Sequence, residues 1–179
     1  IKTALEKNLY HLRDKKVFAI KKDRIARVQI QCEGVLTAMQ KMPDGKWQLQ
    51  SPFMEETDAP SVENLLSTLE TLRASSFLDD APTTPGSFGF DKPRAVIAVQ
   101  ADDLTTLILG RAEKIGERYF ARIKDAQTIF TISELFVNQI SAAPNSLRSR
   151  EIVKLKESDI SEVKLITGDN YISVVKDEK

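Results

Sequence analysis

Few residues of this chain could do acid, base or nucleophilic chemistry. His11 is the only histidine and Cys32 the only cysteine, which excludes an internal disulfide and any metal site built from several such ligands. His11 lies in a predicted connection between a helix and a strand, without a serine or cysteine beside it. Cys32 alternates with Val28 and Ile30 on a predicted strand, so we interpret it as a small core residue rather than a nucleophile.

Three pairs of neighbouring carboxylates could suggest hydrolysis by paired acids or a cation site: Glu55-Glu56, Asp79-Asp80 and Asp102-Asp103. Neighbouring side chains diverge on an extended chain. Each pair also falls where a solvated turn or a helix cap is expected. We therefore interpret all three pairs as surface residues.

The stretch Gly86-Ser87-Phe88-Gly89 contains two glycines but lacks the Lys-Ser/Thr of a phosphate-binding loop. It also does not directly follow a predicted strand. We interpret Phe88 and Phe90 as apolar anchors that hold a long loop, Asp79–Pro93, to the body of the protein.

Tyr119 and Phe120 lie between Arg118 and Arg122, an arrangement that resembles the aromatic and basic strands of single-stranded nucleic-acid binders. Adjacent strand residues point to opposite faces, so only one of the two rings can be exposed.

The sequence therefore assigns no catalytic, cofactor-binding or metal-binding residue, and we predict that the protein is not an enzyme.

The charge of the chain is balanced, with 26 basic and 26 acidic residues. This balance argues against binding of nucleic acid through phosphate neutralisation. Residues 1–30 carry nine basic and three acidic residues, whereas residues 31–110 carry five and twelve. The basic start could face a membrane surface or an acidic partner, but such runs are usually solvated faces. No stretch approaches the roughly 20 apolar residues of a membrane span.

The apolar periodicity predicts an α+β fold in which two antiparallel meanders are each followed by a helix, ββββ-α-ββββ-α. The strands of the first meander are predicted at Val17–Ile20, Ile25–Cys32, Val35–Met42 and Lys46–Gln50. Apolar residues then recur at helical spacing from Val62 to Leu72, after Asp58 as the N-cap and Pro60 in the first turn. This helix should cover the dry face of the meander.

The second meander follows the Asp79–Pro93 loop. Its strands are predicted at Arg94–Gln100, Leu104–Leu109, Arg118–Ile123 and Gln127–Ile132. Ser133 is predicted to cap a short helix, Glu134–Ile140, which Pro144 terminates.

The sequence also repeats itself at a distance of 135 positions. This shift lays Leu12–Ile20 over Leu147–Leu155 without a gap, and places Ile25, Val28 and Ile30 on Ile160, Val163 and Leu165. Apolar positions match while polar ones change, which is typical of a shared buried pattern. Residues 1–146 are therefore predicted to form a complete module with an N-terminal helix tail. Residues 147–179 open a second copy of that module.

Three strands are predicted in the second copy: Ile152–Leu155, Val163–Thr167 and Tyr171–Val175. The sequence contains no second equivalent of Trp47 or of the Val62–Leu72 helix. We therefore expect residues 152–175 to add strands to a sheet or to pair with a neighbouring molecule. We also expect the chain to be part of a longer protein.

Several short motifs, in their order and spacing, resemble the DUF4340 family, an uncharacterised bacterial domain. The similarity covers about residues 12–165 and includes Leu12-Arg13-Asp14-Lys15, Asp44-Gly45-Lys46-Trp47, Phe88-Gly89-Phe90-Asp91-Lys92-Pro93, Leu107-Ile108-Leu109-Gly110 and Tyr119-Phe120-Ala121-Arg122. The family's usual Tyr-Gly-Leu reads Phe88-Gly89-Phe90 in this chain.

This resemblance implies a module present in more than one copy, in proteins tethered by an N-terminal membrane helix and associated with ABC-2-type export systems like those of gliding-motility operons. It assigns no catalytic residue and no cofactor. We therefore expect a non-enzymatic, extracytoplasmic interaction or scaffold domain with protein partners, ABC-type membrane components among them. Its membrane anchor would lie outside these 179 residues. The alternative is a small-ligand or glycan-binding domain that uses the loop at residues 79–93.

Overall fold

A computed structural model describes residues 13–78, 85–114, 117–151 and 155–176. The chain forms two compact units, Ile1–Ser149 and Arg150–Lys179. The predicted N-terminal helix tail, His11, the Asp79-Asp80 pair and residues 152–154 lie outside the described residues. The assignment of residues 1–146 and 147–179 to separate domains stays a prediction.

The first half of the larger unit is a meander of four antiparallel strands followed by a helix. The strands are β1 (Arg27–Cys32), β2 (Val35–Lys41), β3 (Trp47–Ser51) and β4 (Glu55–Glu56), and the helix is α1 (Ala59–Thr71). A short strand, β5 (Ser76–Leu78), comes after the helix.

The second half repeats this order. Its strands are β6 (Ala95–Gln100), β7 (Leu104–Lys114), β8 (Arg118–Ile123) and β9 (Ile129–Ser133), and its helix is α2 (Glu134–Ser146). The predicted α+β architecture of two antiparallel meanders, each followed by a helix, is confirmed.

The two meanders join into one sheet of nine strands, in the order β4-β3-β2-β1-β6-β7-β8-β9-β5. The junction is the antiparallel pair of β1 and β6, in which Ile30 lies opposite Ile97. Both helices contribute to the same buried cluster as β1 and β6. They therefore cover the same face of the sheet, and Gln139 of α2 donates a hydrogen bond to Thr68 of α1 at 3.2 Å.

The segments that leave the helices tie the two halves together. β5, which follows α1, pairs with β9 at the far edge of the second meander. Arg148, which follows α2, bridges Thr57 beside β4 at the opposite edge. The backbone N–H of Ser149 donates to Glu56 O at 3.0 Å. Each helix is thus followed by a segment that completes the other meander, so the two halves interlock.

The core follows the predicted alternation. In β1, Val28, Ile30 and Cys32 are buried on the helix-covered face, and α1 buries Val62, Leu65, Leu66 and Leu69 against them. Asp58 caps α1, since its side chain accepts a hydrogen bond from Ser61 N at 2.9 Å. The predictions for this strand, for the helix and for its cap are confirmed.

The predicted strand at Val17–Ile20 is wrong. Phe18 is fully buried, but the segment has no strand geometry and makes only an isolated bridge between Lys16 and Arg73. Its backbone bonds run to the end of α1, with Val17 N donating to Leu72 O at 3.0 Å. The fourth strand of this meander is instead β4, on the other side of β3.

The predicted end of the second helix is also wrong, because α2 runs through Pro144 to Ser146. A proline inside a helix removes one backbone hydrogen bond. Pro144 lies in the last turn, and the helix end beyond it is still hydrogen-bonded, since the buried Leu147 donates its N–H to Ala143 O at 3.1 Å. Ser133 is the N-cap residue as predicted, but its side chain makes no capping hydrogen bond.

The smaller unit contains a turn of 3-10 helix, Glu157–Asp159, and a hairpin of β10 (Glu162–Thr167) and β11 (Asn170–Val175). These two strands confirm the last two strands predicted for the second copy. They form a separate two-stranded sheet. Of the predicted strand Ile152–Leu155, only Leu155 is described, and it is exposed and not in a strand.

Candidate functional site

The hairpin of β10 and β11 reproduces that of β1 and β2 at the 135-residue shift found in the sequence. Arg27 pairs with Gln40 in the first hairpin, and Glu162 pairs with Val175 at the equivalent position of the second. Backbone hydrogen bonds recur as well. Lys41 N donates to Ala26 O at 2.9 Å, and Lys176 N donates to Ser161 O at the same distance. The two hairpins therefore share the same strand pairing as well as the same sequence pattern.

The two hairpins differ in what surrounds them. Val28, Ile30, Thr37 and Met39 are at most 2% exposed, under the helices of the larger unit. At the equivalent positions, Val163, Leu165, Ile172 and Val174 are 54–63% exposed. Monomeric soluble proteins rarely expose large contiguous apolar patches, and such a patch often marks an interaction site. We call this surface of four residues the hairpin face.

The larger unit has a groove of about 1040 Å³ between the tip of the hairpin of β2 and β3 and the first half of α1. Trp47, Val62 and Leu66 line its apolar part, and charged side chains from the hairpin tip and the helix line its rim. Trp47 is half-buried, and its carbonyl oxygen accepts a hydrogen bond from the Thr57 hydroxyl at 2.9 Å. The groove offers one aromatic ring and a mixed set of charges.

An ion pair between Lys22 and Glu63 lies at the rim of the groove. The hydrogen bond to Glu63 raises the pKa of Lys22 above its ordinary value, so the lysine is a cation at neutral pH. At the opposite end, Asp44 accepts a hydrogen bond from Lys46 N at 3.0 Å, which closes the hairpin turn. The described charges at these two positions are therefore paired with neighbouring groups of the rim.

Arg148 holds the edge of the first meander. Its guanidinium donates two hydrogen bonds to the Glu55 carboxylate, at 2.8 and 2.9 Å, and lies 5.3 Å from the centre of the Phe53 ring. The same carboxylate raises the pKa of Arg148. Glu55 and Glu56 form strand β4, so their predicted place in a turn or cap is wrong. Asp102 and Asp103 lie in an exposed turn, as predicted.

The described part of the long loop is fixed to the sheet by aromatic side chains. Phe88 and Phe90 are buried with Phe120 and Ile129 on the face opposite the helices, and the rings of Phe88 and Phe120 meet edge to face at 5.0 Å. This arrangement confirms that the two phenylalanines anchor the loop. Gly86 through Gly89 thus belong to a packing motif.

Two glycines permit this close approach. A Cβ on Gly110 would collide with the Phe88 carbonyl oxygen and would lie 3.1 Å from the Phe90 ring. Gly89 has φ +77°, and a Cβ there would lie 2.8 Å from Arg111 N. The loop backbone therefore rests directly on strand β7.

The remaining sequence candidates are structural. Cys32 is buried, with Sγ 3.5 Å from the Ser141 hydroxyl of α2, which confirms its place in the core. Phe120 is also buried, and Tyr119 is half-buried with the Arg94 guanidinium 5.4 Å from its ring centre. The Phe120 ring is thus covered, and the Tyr119 ring lies beside the Arg94 guanidinium.

Sequence reasoning missed the groove. The groove depends on how far the tip of the hairpin of β2 and β3 reaches past α1, a tertiary relationship without a local sequence signal. The only available signal is that Trp47 is the sole tryptophan and follows a turn of Asp44-Gly45. Tryptophan is large enough to line a cavity and cover the core at once.

A family model matches the chain in two segments. The model of DUF4340, described as a domain of unknown function, matches residues 1–86 and residues 79–179. No curated protein and no solved structure matches the chain. Within the described ranges, no helix is long and apolar enough to cross a bilayer. Since the two matches together span the whole sequence, the chain belongs to the DUF4340 family of domains of unknown function.

Proposed function

We propose that this protein is a non-enzymatic, extracytoplasmic interaction domain that serves as an accessory part of an ABC-type membrane transport assembly. The observation that carries the interaction role is the hairpin face. Its four residues occupy positions that the first copy buries under helices, yet they are 54–63% exposed. Burying such surface on association is favourable by roughly 25 cal/mol per Å².

The transport context and the extracytoplasmic address come from the family resemblance. The resemblance implies a protein tethered to a membrane and associated with an ABC-2-type system. A module built from repeated units suits a scaffold, because each added unit extends the surface on which partners can bind.

The test is affinity capture of the full-length protein from its own membranes, with the partners identified by mass spectrometry. The matched variants are Ile172→Asp, which places a charge on the hairpin face, and Gln40→Asp, which places one at an exposed position of β2. We expect transport components with the unmodified protein and with Gln40→Asp, but not with Ile172→Asp. Recovery of no membrane component with the unmodified protein would contradict the proposal.

A second candidate function is the binding of a small ligand or glycan, and the groove beside Trp47 favours it. Its volume of about 1040 Å³ lies at the upper end of the range for small-molecule sites. The described part of the loop at residues 79–93 instead packs Phe88 and Phe90 into the sheet.

The groove can be tested through its own fluorophore, since Trp47 is the only tryptophan. A ligand that enters the groove should change the Trp47 emission, and Ala59→Trp should block this binding by filling the space between the helix and the hairpin. A panel of glycans and small metabolites that leaves the emission unchanged at millimolar concentration would count against this candidate.

A further inference from the structure

A second cavity of the larger unit lies beside the turn between β1 and β2. Its volume is about 520 Å³, within the range of small-molecule sites. Gln31 and Val96, which lie directly opposite each other in β1 and β6, form part of its wall, together with residues of the turn and of positions 92–94 and 110–112. Its described walls share no residue with the groove beside Trp47. We call this cavity the turn pocket.

The turn between β1 and β2 has a defined backbone conformation. Cys32 pairs with Val35, so only Glu33 and Gly34 connect the two strands. Both have positive φ, 50° and 83°, the pattern of a type I′ turn, whose backbone matches the twist of the strands. The backbone that carries Glu33 is thus fixed at the edge of the turn pocket.

The turn pocket is basic. Among the described residues that line it, Lys92, Arg94 and Arg111 are cations, and Glu33 is the one carboxylate. Three positive charges against one negative charge leave two positive charges uncompensated. A concave site with an excess of one sign of charge attracts ligands of the opposite sign. The turn pocket therefore favours an anion.

Arg94 has spare hydrogen-bonding capacity. Its Nη2 lies 2.9 Å from Glu33 Oε1, and its guanidinium lies 5.4 Å from the centre of the Tyr119 ring. Within the part of the chain that the structure describes, Glu33 is its only charged partner. An arginine carries five N–H donors, and the Arg94 side chain is 36% exposed. Donors therefore remain that a bound anion can reach.

Arg111 is held in place by neutral groups. Its Nε donates to Ser87 O at 2.8 Å, and its Nη1 lies 3.4 Å from Ala112 O. The guanidinium also lies 5.3 Å from the centre of the Phe120 ring. Two carbonyl oxygens and an aromatic ring orient this guanidinium without cancelling its charge. Arg111 is therefore positioned before any ligand binds.

We propose that the turn pocket binds a phosphate group, which Lys92, Arg94 and Arg111 hold. A guanidinium donates paired hydrogen bonds that match phosphate oxygens, and a lysine adds a point charge. A phosphate monoester carries a charge of about −1.5 to −2 at pH 7, which matches the two uncompensated charges of the turn pocket. The phosphate can belong to a soluble ester or to a lipid headgroup, because both present the same oxygens. This inference goes beyond the proposed function, since it uses neither the hairpin face nor the groove.

The test follows the backbone amide NMR signals of the 179-residue chain during titration with inorganic phosphate at constant ionic strength. We expect saturable shifts at Gly34 and Gly110, which line the turn pocket, and none at Gly45 in the groove beside Trp47. Sodium chloride replaces phosphate in a reference titration. Shifts that do not saturate, or that chloride reproduces, would overturn the proposed site.

Charge variants show which residues hold the phosphate. Lys92→Gln removes an exposed charge from the turn pocket and should weaken phosphate binding by about threefold. Lys124→Gln removes the same charge from an exposed turn outside the pocket and should leave the affinity unchanged. Equal affinities of these two variants would overturn the proposed site.

Glu33→Gln gives an expected change of opposite sign. The glutamine keeps an oxygen that can accept from Arg94 but removes the negative charge, so phosphate should bind about threefold more tightly. Arg94→Gln should weaken binding by about tenfold or more. Thermal unfolding is measured for each variant. If Arg94→Gln does not fold, the substitutions at the exposed residues Lys92 and Glu33 decide the test.

Two further probes distinguish the source of the phosphate. Glycerol 3-phosphate represents a soluble ester, and phosphatidylcholine vesicles that contain phosphatidic acid represent a headgroup. Vesicle binding that Lys92→Gln weakens and Lys124→Gln does not would assign the site to a lipid, whereas glycerol 3-phosphate binding without vesicle binding would assign it to a soluble ester. Binding of inorganic phosphate but of neither ester would show an adventitious ion only and would overturn the proposal.

Discussion

Ile30 lies directly opposite Ile97 at the centre of the pair of β1 and β6, and both side chains are buried. Ile30→Ala should therefore lower the free energy of unfolding of the larger unit by about 3 kcal/mol, as is usual for such a truncation in a core. Trp47 fluorescence during denaturation reports on this unit.

The matched control is Leu165→Ala, at the equivalent position of the second hairpin, where the side chain is 62% exposed. It should change the unfolding of the larger unit by less than about 0.5 kcal/mol. If Ile30→Ala and Leu165→Ala lowered the free energy of unfolding equally, residues 30 and 165 would not differ in burial as the structure shows.

The caps of the two helices differ in a measurable way. Asp58 accepts a hydrogen bond from Ser61 N, whereas Ser133 makes no such bond at the start of α2. Asp58→Ala should cost about 1 kcal/mol of stability, and Ser133→Ala should cost clearly less. Chemical denaturation of both variants tests this, and a larger loss for Ser133→Ala would contradict the assignment of the caps.

The packing of the long loop on β7 should depend on Gly110 and not on Gly86. Gly110→Ala introduces a Cβ into the Phe88 carbonyl oxygen, so we expect a loss of about 2 kcal/mol or more. Gly86 has open space around its Cα and an ordinary φ, so Gly86→Ala should be nearly neutral. Thermal unfolding compares the two, and similar melting temperatures would mean that the loop does not pack on β7.

At Thr37 we predict a substitution that stabilises the larger unit. Its side chain is 2% exposed, and its hydroxyl has no hydrogen-bond partner among the described residues. Burying an unpaired hydroxyl is unfavourable, and the second copy carries Ile172 at this position. Thr37→Val should therefore stabilise the larger unit by about 1 kcal/mol. A decrease in denaturation midpoint would show that the hydroxyl makes a bond that the structure does not show.

Much of the fold could be predicted because apolar periodicity is local. The alternation of Val28, Ile30 and Cys32, the helical stripe of α1 and its Asp58 cap are properties of short windows, and the structure confirms them. The 135-residue repeat was visible for the same reason, since buried positions keep their type while polar ones change.

The parts that could not be predicted depend on distant partners. Phe18 is buried, but burial alone does not show that its neighbour Val17 bonds to Leu72 instead of to a strand. β4 and β5 have two and three residues, too few for a periodic signal. Their pairing depends on the segments that follow the helices, which no local pattern reports.

The central claim is that the hairpin face binds protein in the native assembly. The most direct measurement is photo-crosslinking in the full-length protein in its own membranes, with a photoreactive residue at position 172 or, as the control, at Gln40. We predict strong protein cross-links from position 172 and few from position 40. Cross-linking at position 172 no stronger than at position 40 would contradict the claim.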